Sequence, residues 1–204
     1  MICHHSKRSI FLYPSPHFTE QSWQLGWYND RDLTLYPENE SSNWGTVKTM
    51  VGIANYDQAT SNTPVLIKLE TGLAEDYFIN FNRATGINQQ NVQADDEVTI
   101  VKANADTKSQ SYLQATLPEG ESHTIVGLGK ANGIVVKLLS IDKTDPDLWK
   151  AEVFIGTDQA VSVYIVHLMT LLVSSLILSH TNCFFIHYID FTRTLHPTTN
   201  TQPK

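Results

Sequence analysis

Apolar and polar residues alternate in short runs through the middle of this chain, and the alternation sets the first expectation for its fold. Val65-Leu66-Ile67-Lys68-Leu69-Glu70 and Val98-Thr99-Ile100-Val101-Lys102 switch character almost residue by residue, the period-two signature of a half-buried strand. Candidate strands cover 46–56, 64–70, 77–82, 97–103, 111–117, 123–128, 133–141 and 150–155. Between them stand Asn55-Tyr56-Asp57, Ala84-Thr85-Gly86, Ala94-Asp95-Asp96, Pro118-Glu119-Gly120, Ala131-Asn132-Gly133 and Asp145-Pro146-Asp147. Gly, Asn and Asp accept turn dihedrals and proline ends a ladder, so these read as connections. Lys130-Ala131-Asn132-Gly133 is the clearest hairpin signal, because Asn-Gly suits a type I′ turn. Eight short strands at this spacing predict a mainly β chain, an antiparallel β-sandwich or jelly-roll-like module.

Two stretches break the alternation. Ser22-Trp23-Gln24-Leu25-Gly26-Trp27-Tyr28-Asn29-Asp30 sets Trp23 and Trp27 four residues apart, on one face of a helix. It predicts a short helix ahead of the strands, stopped by Asn29-Asp30, whose rings each carry roughly 150–250 Å² that favours burial. At the other end, residues 159–189 contain no Asp, Glu, Lys or Arg, and 160–178 are nineteen residues broken only by serines, a threonine and His167. A helix of about twenty apolar residues spans a bilayer core, so 160–178 is a candidate transmembrane helix. Acidic residues precede it and Arg193 and Lys204 follow, which places the strand-rich module outside by the positive-inside rule. A buried helix and residues from a misjoined exon are the competing readings. The expected organisation is an unmatched, disordered segment 1–21, a β-rich region 22–157 and a hydrophobic tail 158–204.

Trp23-Gln24-Leu25-Gly26-Trp27-Tyr28, Val51-Gly52-Ile53-Ala54-Asn55-Tyr56, Val65-Leu66-Ile67-Lys68-Leu69 and Tyr77-Phe78-Ile79-Asn80-Phe81-Asn82-Arg83-Ala84-Thr85-Gly86-Ile87-Asn88 together resemble the gametolysin family of zinc metallopeptidases. The likeness is to the part lying downstream of the metal site and runs from about Ser22 to Gly156. It implies the C-terminal portion of a metalloendopeptidase acting outside the cell or at its surface, with an extracellular-matrix or cell-wall protein as partner. Zinc is the cofactor of the full-length family. That chemistry needs about three protein ligands and a carboxylate beside an open water position, supplied economically by His-Glu-x-x-His on a helix. The eight histidines, His4, His5, His17, His123, His167, His180, His187 and His196, include no pair at that spacing. No catalytic residue, metal ligand or cofactor is therefore assigned to this chain, and activity on its own is not expected. The second reading is a non-catalytic, membrane-tethered β module that binds wall or matrix material.

Charge narrows the partners. Of the formal charge of −7, Glu20 to Asp158 carries twenty acidic against ten basic residues, so a nucleic-acid partner, which needs a basic face, is not expected. Cys3 and Cys183 are weak evidence for a disulfide, and His4-His5 beside Cys3 reads as a chain end rather than a metal site. A secretory signal is not expected from Ile10-Phe11-Leu12-Tyr13, shorter than the required apolar run of about 7–15 residues. Asn39-Glu40-Ser41 is the only acceptable N-glycosylation triplet, which makes Asn39 the candidate modification site. Asp95-Asp96-Glu97 and Asp142, Asp145 and Asp147 lack the spacing of a calcium loop and read as solvated turns. Gly127-Leu128-Gly129 reads as a hairpin rather than a phosphate loop, Arg83 is expected to pair with a carboxylate, and His123 has no argued catalytic partner.

Overall fold

The structure, a computed structural model, describes residues 28–60, 62–89, 93–104, 111–128, 130, 133–167, 169–171 and 173–175. The readings of segment 1–21, of Trp23 and Trp27, of both cysteines, of His180, His187 and His196, and of 176–204 lie outside the described residues. The chain divides into two compact units, Met1–Val161 and Ser162–Lys204. The first is mainly β and sandwich-like, with strands β1 (Asp32–Leu35), β2 (Gly45–Val51), β3 (Leu66–Leu69), β4 (Glu75–Asn82), β5 (Glu97–Asn104), β6 (Tyr112–Leu117), β7 (Ser122–Ile125), β8 (Ile134–Asp142) and β9 (Lys150–Gly156). They form a five-stranded sheet in the order β1-β3-β4-β5-β6 and a four-stranded sheet in the order β2-β9-β8-β7. An apolar helix, α1 (Asp158–Ser175), follows the last strand.

Alternation decides which side chains meet between the sheets. Ile67 and Leu69 of β3, Ile79 and Phe81 of β4, and Val98 and Ile100 of β5 share one buried cluster with Met50, Ile134, Val136, Leu138, Val153 and Ile155 of the other sheet. At about 25 cal/mol per Å², this shared apolar burial is the largest favourable contribution to folding. Bulges follow the same requirement. Leu138 pairs with Val153 but Ser140 with Glu152, so Leu139 is the extra residue, and Gln114 plays that part between the partners of Ile100 and Val101. An unpaired residue re-phases the pleat and bends the strand.

Eight strands fall on the eight predicted runs, and three details differ. Residues 53–58 were expected to extend β2; instead Ile53–Gln58 forms a 3-10 turn, reached where Gly52 leaves β2 and bridges to Phe81 of β4. A Cβ on Gly52 would lie 2.7 Å from Arg83 Cβ, so glycine is what permits this approach. β1 is the strand that alternation missed, and it pairs with β3 in parallel, the exception in a set otherwise antiparallel. The end of the expected first helix is a reverse turn closed by Arg31 N–H donating to Tyr28 O at 2.8 Å. In the β7–β8 connection Gly133 has φ of +79°, and its N–H donates to Lys130 O at 3.1 Å.

Candidate functional site

The five-stranded sheet is covered on both faces. Val51, Ala59, Val65, Leu66, Phe78 and Ala103 form a second buried cluster on its outer face, with Tyr28, Tyr56 and Leu148 packed against it. Residues that strand periodicity assigns to solvent are therefore enclosed: Lys68, Asp76, Asn80, Asn82 and Thr99 are all buried, as is Arg83 just past β4. A buried polar group is costly unless paired, and the sheet register supplies the pairing. Thr99 sits directly opposite Asn80, and its hydroxyl donates to Asn80 Oδ1 at 2.5 Å. Asn82 Nδ2 donates to Gln93 O and Ala94 O, each at 2.9 Å, tying the β4–β5 connection down.

Arg83 organises one end of this layer. Its guanidinium donates to Asn55 Oδ1 at 2.9 Å, Asp147 O at 2.6 Å and Pro146 O at 2.5 Å, and its Cζ lies 5.2 Å from the centroid of Trp149. The expected carboxylate partner is thus replaced by carbonyl oxygens and an indole face, because the 143–149 connection turns its backbone inward. Asn55 completes the joint by donating from Nδ2 to Asp147 O at 2.8 Å. Lys143 Nζ approaches the same Trp149 ring, 4.7 Å from its centroid.

The other end carries a charged triad. Lys68 Nζ lies 2.6 Å from Glu70 Oε2 and 2.8 Å from Asp76 Oδ2, with Asp76 fully buried and Lys68 5% exposed. Burial, the largest single influence, pushes the Lys68 ammonium down; the hydrogen bonds and charges of Asp76 and Glu70 together outweigh it, and the net direction is upward. Thr71 N–H donates to Asp76 Oδ1 at 3.0 Å. Thr71 Oγ1 lies 3.3 Å from the same oxygen but donates more closely, at 2.6 Å, to Glu75 O.

The outer face of the four-stranded sheet holds an open polar groove of about 450 Å³ lined by Thr49, Asn62, Thr63, Ser140, Asp142, Lys150 and Glu152. Thr49 and Ser140 both oppose Glu152 across β9, and Asp142 opposes Lys150, which gathers hydroxyl, carboxylate and ammonium groups on one surface. Hydrogen bonds from the Thr144 hydroxyl and N–H lower the Asp142 pKa, outweighing desolvation, with Lys150 a lesser lowering influence.

The remaining sequence candidates are placed as follows. Asn39 is the exposed last residue of a 3-10 turn, Pro37–Asn39, whose first residue, Pro37, is buried. Asp96 caps the β4–β5 connection, accepting from Ala84 N–H at 3.0 Å, while Asp145 accepts from Asp147 N–H at 2.9 Å. His123 lies half-buried on β7 and His167 is exposed on α1. Among the described residues, no three His, Cys, Asp or Glu side chains converge as a metal site. Alternation on the outer face of β3 and β4 gave no signal for the Lys68–Asp76 triad, since it marks Lys68 as a solvated position. No family model matches this chain, nor does any curated protein or solved structure.

Proposed function

We propose that this chain carries the C-terminal, β-rich portion of a gametolysin-like zinc metalloendopeptidase and has no proteolytic activity by itself. The observation that supports this reading is the convergence of the segments that carry the resemblance. Val51–Tyr56, Val65–Leu69 and Tyr77–Asn88 are separate in sequence, yet Val51, Tyr56, Val65, Leu66 and Phe78 share one cluster, Gly52 bridges Phe81 and Arg83 donates to Asn55. Tyr28, the last residue of the tryptophan-bearing segment, packs on the same layer. On this reading the layer serves as scaffold for the catalytic part of the protease.

Zinc analysis and a casein hydrolysis assay on the purified chain test the proposal, together with sequencing of the transcript upstream of the Ser22 codon. The expected result is sub-stoichiometric zinc, no turnover and an in-frame His-Glu-x-x-His segment upstream. One zinc per chain with hydrolysis, or upstream sequence without that segment, overturns it.

A second reading, a membrane-tethered β module that binds wall or matrix material at the cell surface, is favoured by α1. Val163, Val166, Met169, Leu171 and Val173 are all exposed, and at about 100° per residue they cover more than half the helix circumference. The hydroxyls of Thr170 and Ser174 donate to Val166 O and Thr170 O at 2.9 Å each, which satisfies them without water. The polar groove on the four-stranded sheet is the surface that would meet such material. Co-sedimentation with insoluble wall or matrix preparations, abolished by Glu152→Ala and Asp142→Ala together, separates this reading from the first.

A further inference from the structure

Lys68, Glu70 and Asp76 are arranged for more than an ion pair. Lys68 and Asp76 stand on neighbouring antiparallel strands, β3 and β4, on one face of the sheet. Asp76 Oδ2 is buried and lies 2.8 Å from the Lys68 nitrogen. Since Cγ lies one C–O bond, about 1.2 Å, from Oδ2, Nζ is within about 4 Å of the carboxyl carbon, near the approach distance of reacting atoms. Oδ1 is held from the other side by Thr71 N–H at 3.0 Å, a donor aimed where charge develops if the carbon is attacked. Glu70 Oε2 touches Nζ at 2.6 Å and is the one member with solvent access, its side chain 27% exposed.

We propose that Lys68 and Asp76 condense into an intramolecular amide cross-link between β3 and β4, with Glu70 carrying the proton. The ammonium first passes one proton to Asp76 Oδ2, leaving a neutral amine and a neutral acid at this buried site. Nζ then attacks Cγ and an N–C bond forms, with the tetrahedral oxygen at Oδ1 held by Thr71 N–H. Glu70 takes a second proton from nitrogen and returns it to Oδ2, and the Cγ–Oδ2 bond breaks. Two of the ammonium's three protons depart as water, the third stays on the amide nitrogen, and Glu70 ends as it began. No oxidant, metal or co-reactant is required. With Asp76 fully buried, water has little access to reverse the step.

Intact mass spectrometry of the full chain, followed by denaturation and trypsin digestion, tests it. The expected mass is one water below that of the sequence. Trypsin, which does not cut at an acylated lysine, should leave residues 49–83 as a single peptide carrying the same deficit, in place of 49–68 and 69–83. Glu70→Gln should restore the full mass and cleavage after Lys68, and Asp76→Asn, where it links, should lose one ammonia instead of one water. Wild-type protein at full sequence mass and cut normally at Lys68 overturns the proposal, as does a water deficit mapping elsewhere. A Glu70→Gln variant that links as completely as wild type overturns the proton-carrying role.

Discussion

Arg83 does at the residue scale what a hydrophobic side chain at the same place could not. It joins β4, the 3-10 turn Ile53–Gln58 and the 143–149 connection through three acceptors. Substituting Arg83→Met keeps much of the stem packing but strands those acceptors, and should lower stability by about 2–3 kcal/mol, read as a lower urea midpoint. Arg83→Lys should recover only part of the loss, because an ammonium lacks the fork that reaches several carbonyls at once. Tyr56 and Asp30 provide a pH-dependent contact, the phenol hydroxyl donating to Asp30 Oδ1 at 2.5 Å. The bond from Tyr56 is the main influence that lowers the Asp30 pKa below 3.8, and the bond to Asp30 is the main influence that raises the Tyr56 pKa above 10.0. A depressed carboxylate contributes stability above its unfolded value and loses it as pH falls through the folded one. A raised phenol contributes below its unfolded value and loses it as pH rises through the folded one. Wild type should therefore melt higher than Tyr56→Phe across the neutral range, and the two curves should converge at both extremes. A difference in melting temperature that ignores pH would remove this account.

Among the elements, α1 departs most from the rest of the molecule. Thr157 caps it: Ala160 N–H donates to Thr157 Oγ1 at 3.4 Å, and Val161 N–H to Thr157 O at 3.1 Å, while Thr157 N–H is held by Trp44 O at 2.8 Å. Helix formation here needs no tertiary burial to explain its start, since the cap satisfies first-turn donors and Asp158 complements the helix dipole. Among the described residues, its Val163, Val166, Met169, Leu171 and Val173 are exposed. Detergent phase partitioning should carry the chain into the detergent-rich phase. Met169→Lys, which places a charge near the middle of the span at a cost of about 3 kcal/mol, should return it to the aqueous phase. Unchanged partitioning of the variant would argue against a span through 160–178.

For the molecule as a whole, one shared core makes the two sheets a single folding unit. Ile79→Ala empties a fully buried position between the sheets and should cost about 2–5 kcal/mol. Loss of tryptophan and far-ultraviolet signals should remain in one transition; separate midpoints would contradict the shared core. Local alternation was enough to read eight strands and the sandwich class, because a half-buried strand must place apolar side chains every second residue whatever its neighbours are. β1 stayed hidden because Asp32-Leu33-Thr34-Leu35 is four residues long and gains its place only by parallel pairing with β3. The turn at Ile53–Gln58 stayed hidden because Val51-Gly52-Ile53-Ala54 is as apolar as a strand, and only the close approach of Arg83 to Gly52 redirects it. Sequence alone also determined the acidic composition of residues 20–158, the uncharged stretch 159–189 and the want of a His-Glu-x-x-His motif, all properties of residue identity and spacing. Tertiary structure alone decided that the second face of the β3–β4 region is covered, so Lys68 and Arg83 become buried partners instead of solvated charges. Periodicity reports which side chains share a face of a strand; what lies over that face depends on segments distant in sequence, and no local pattern encodes their arrival.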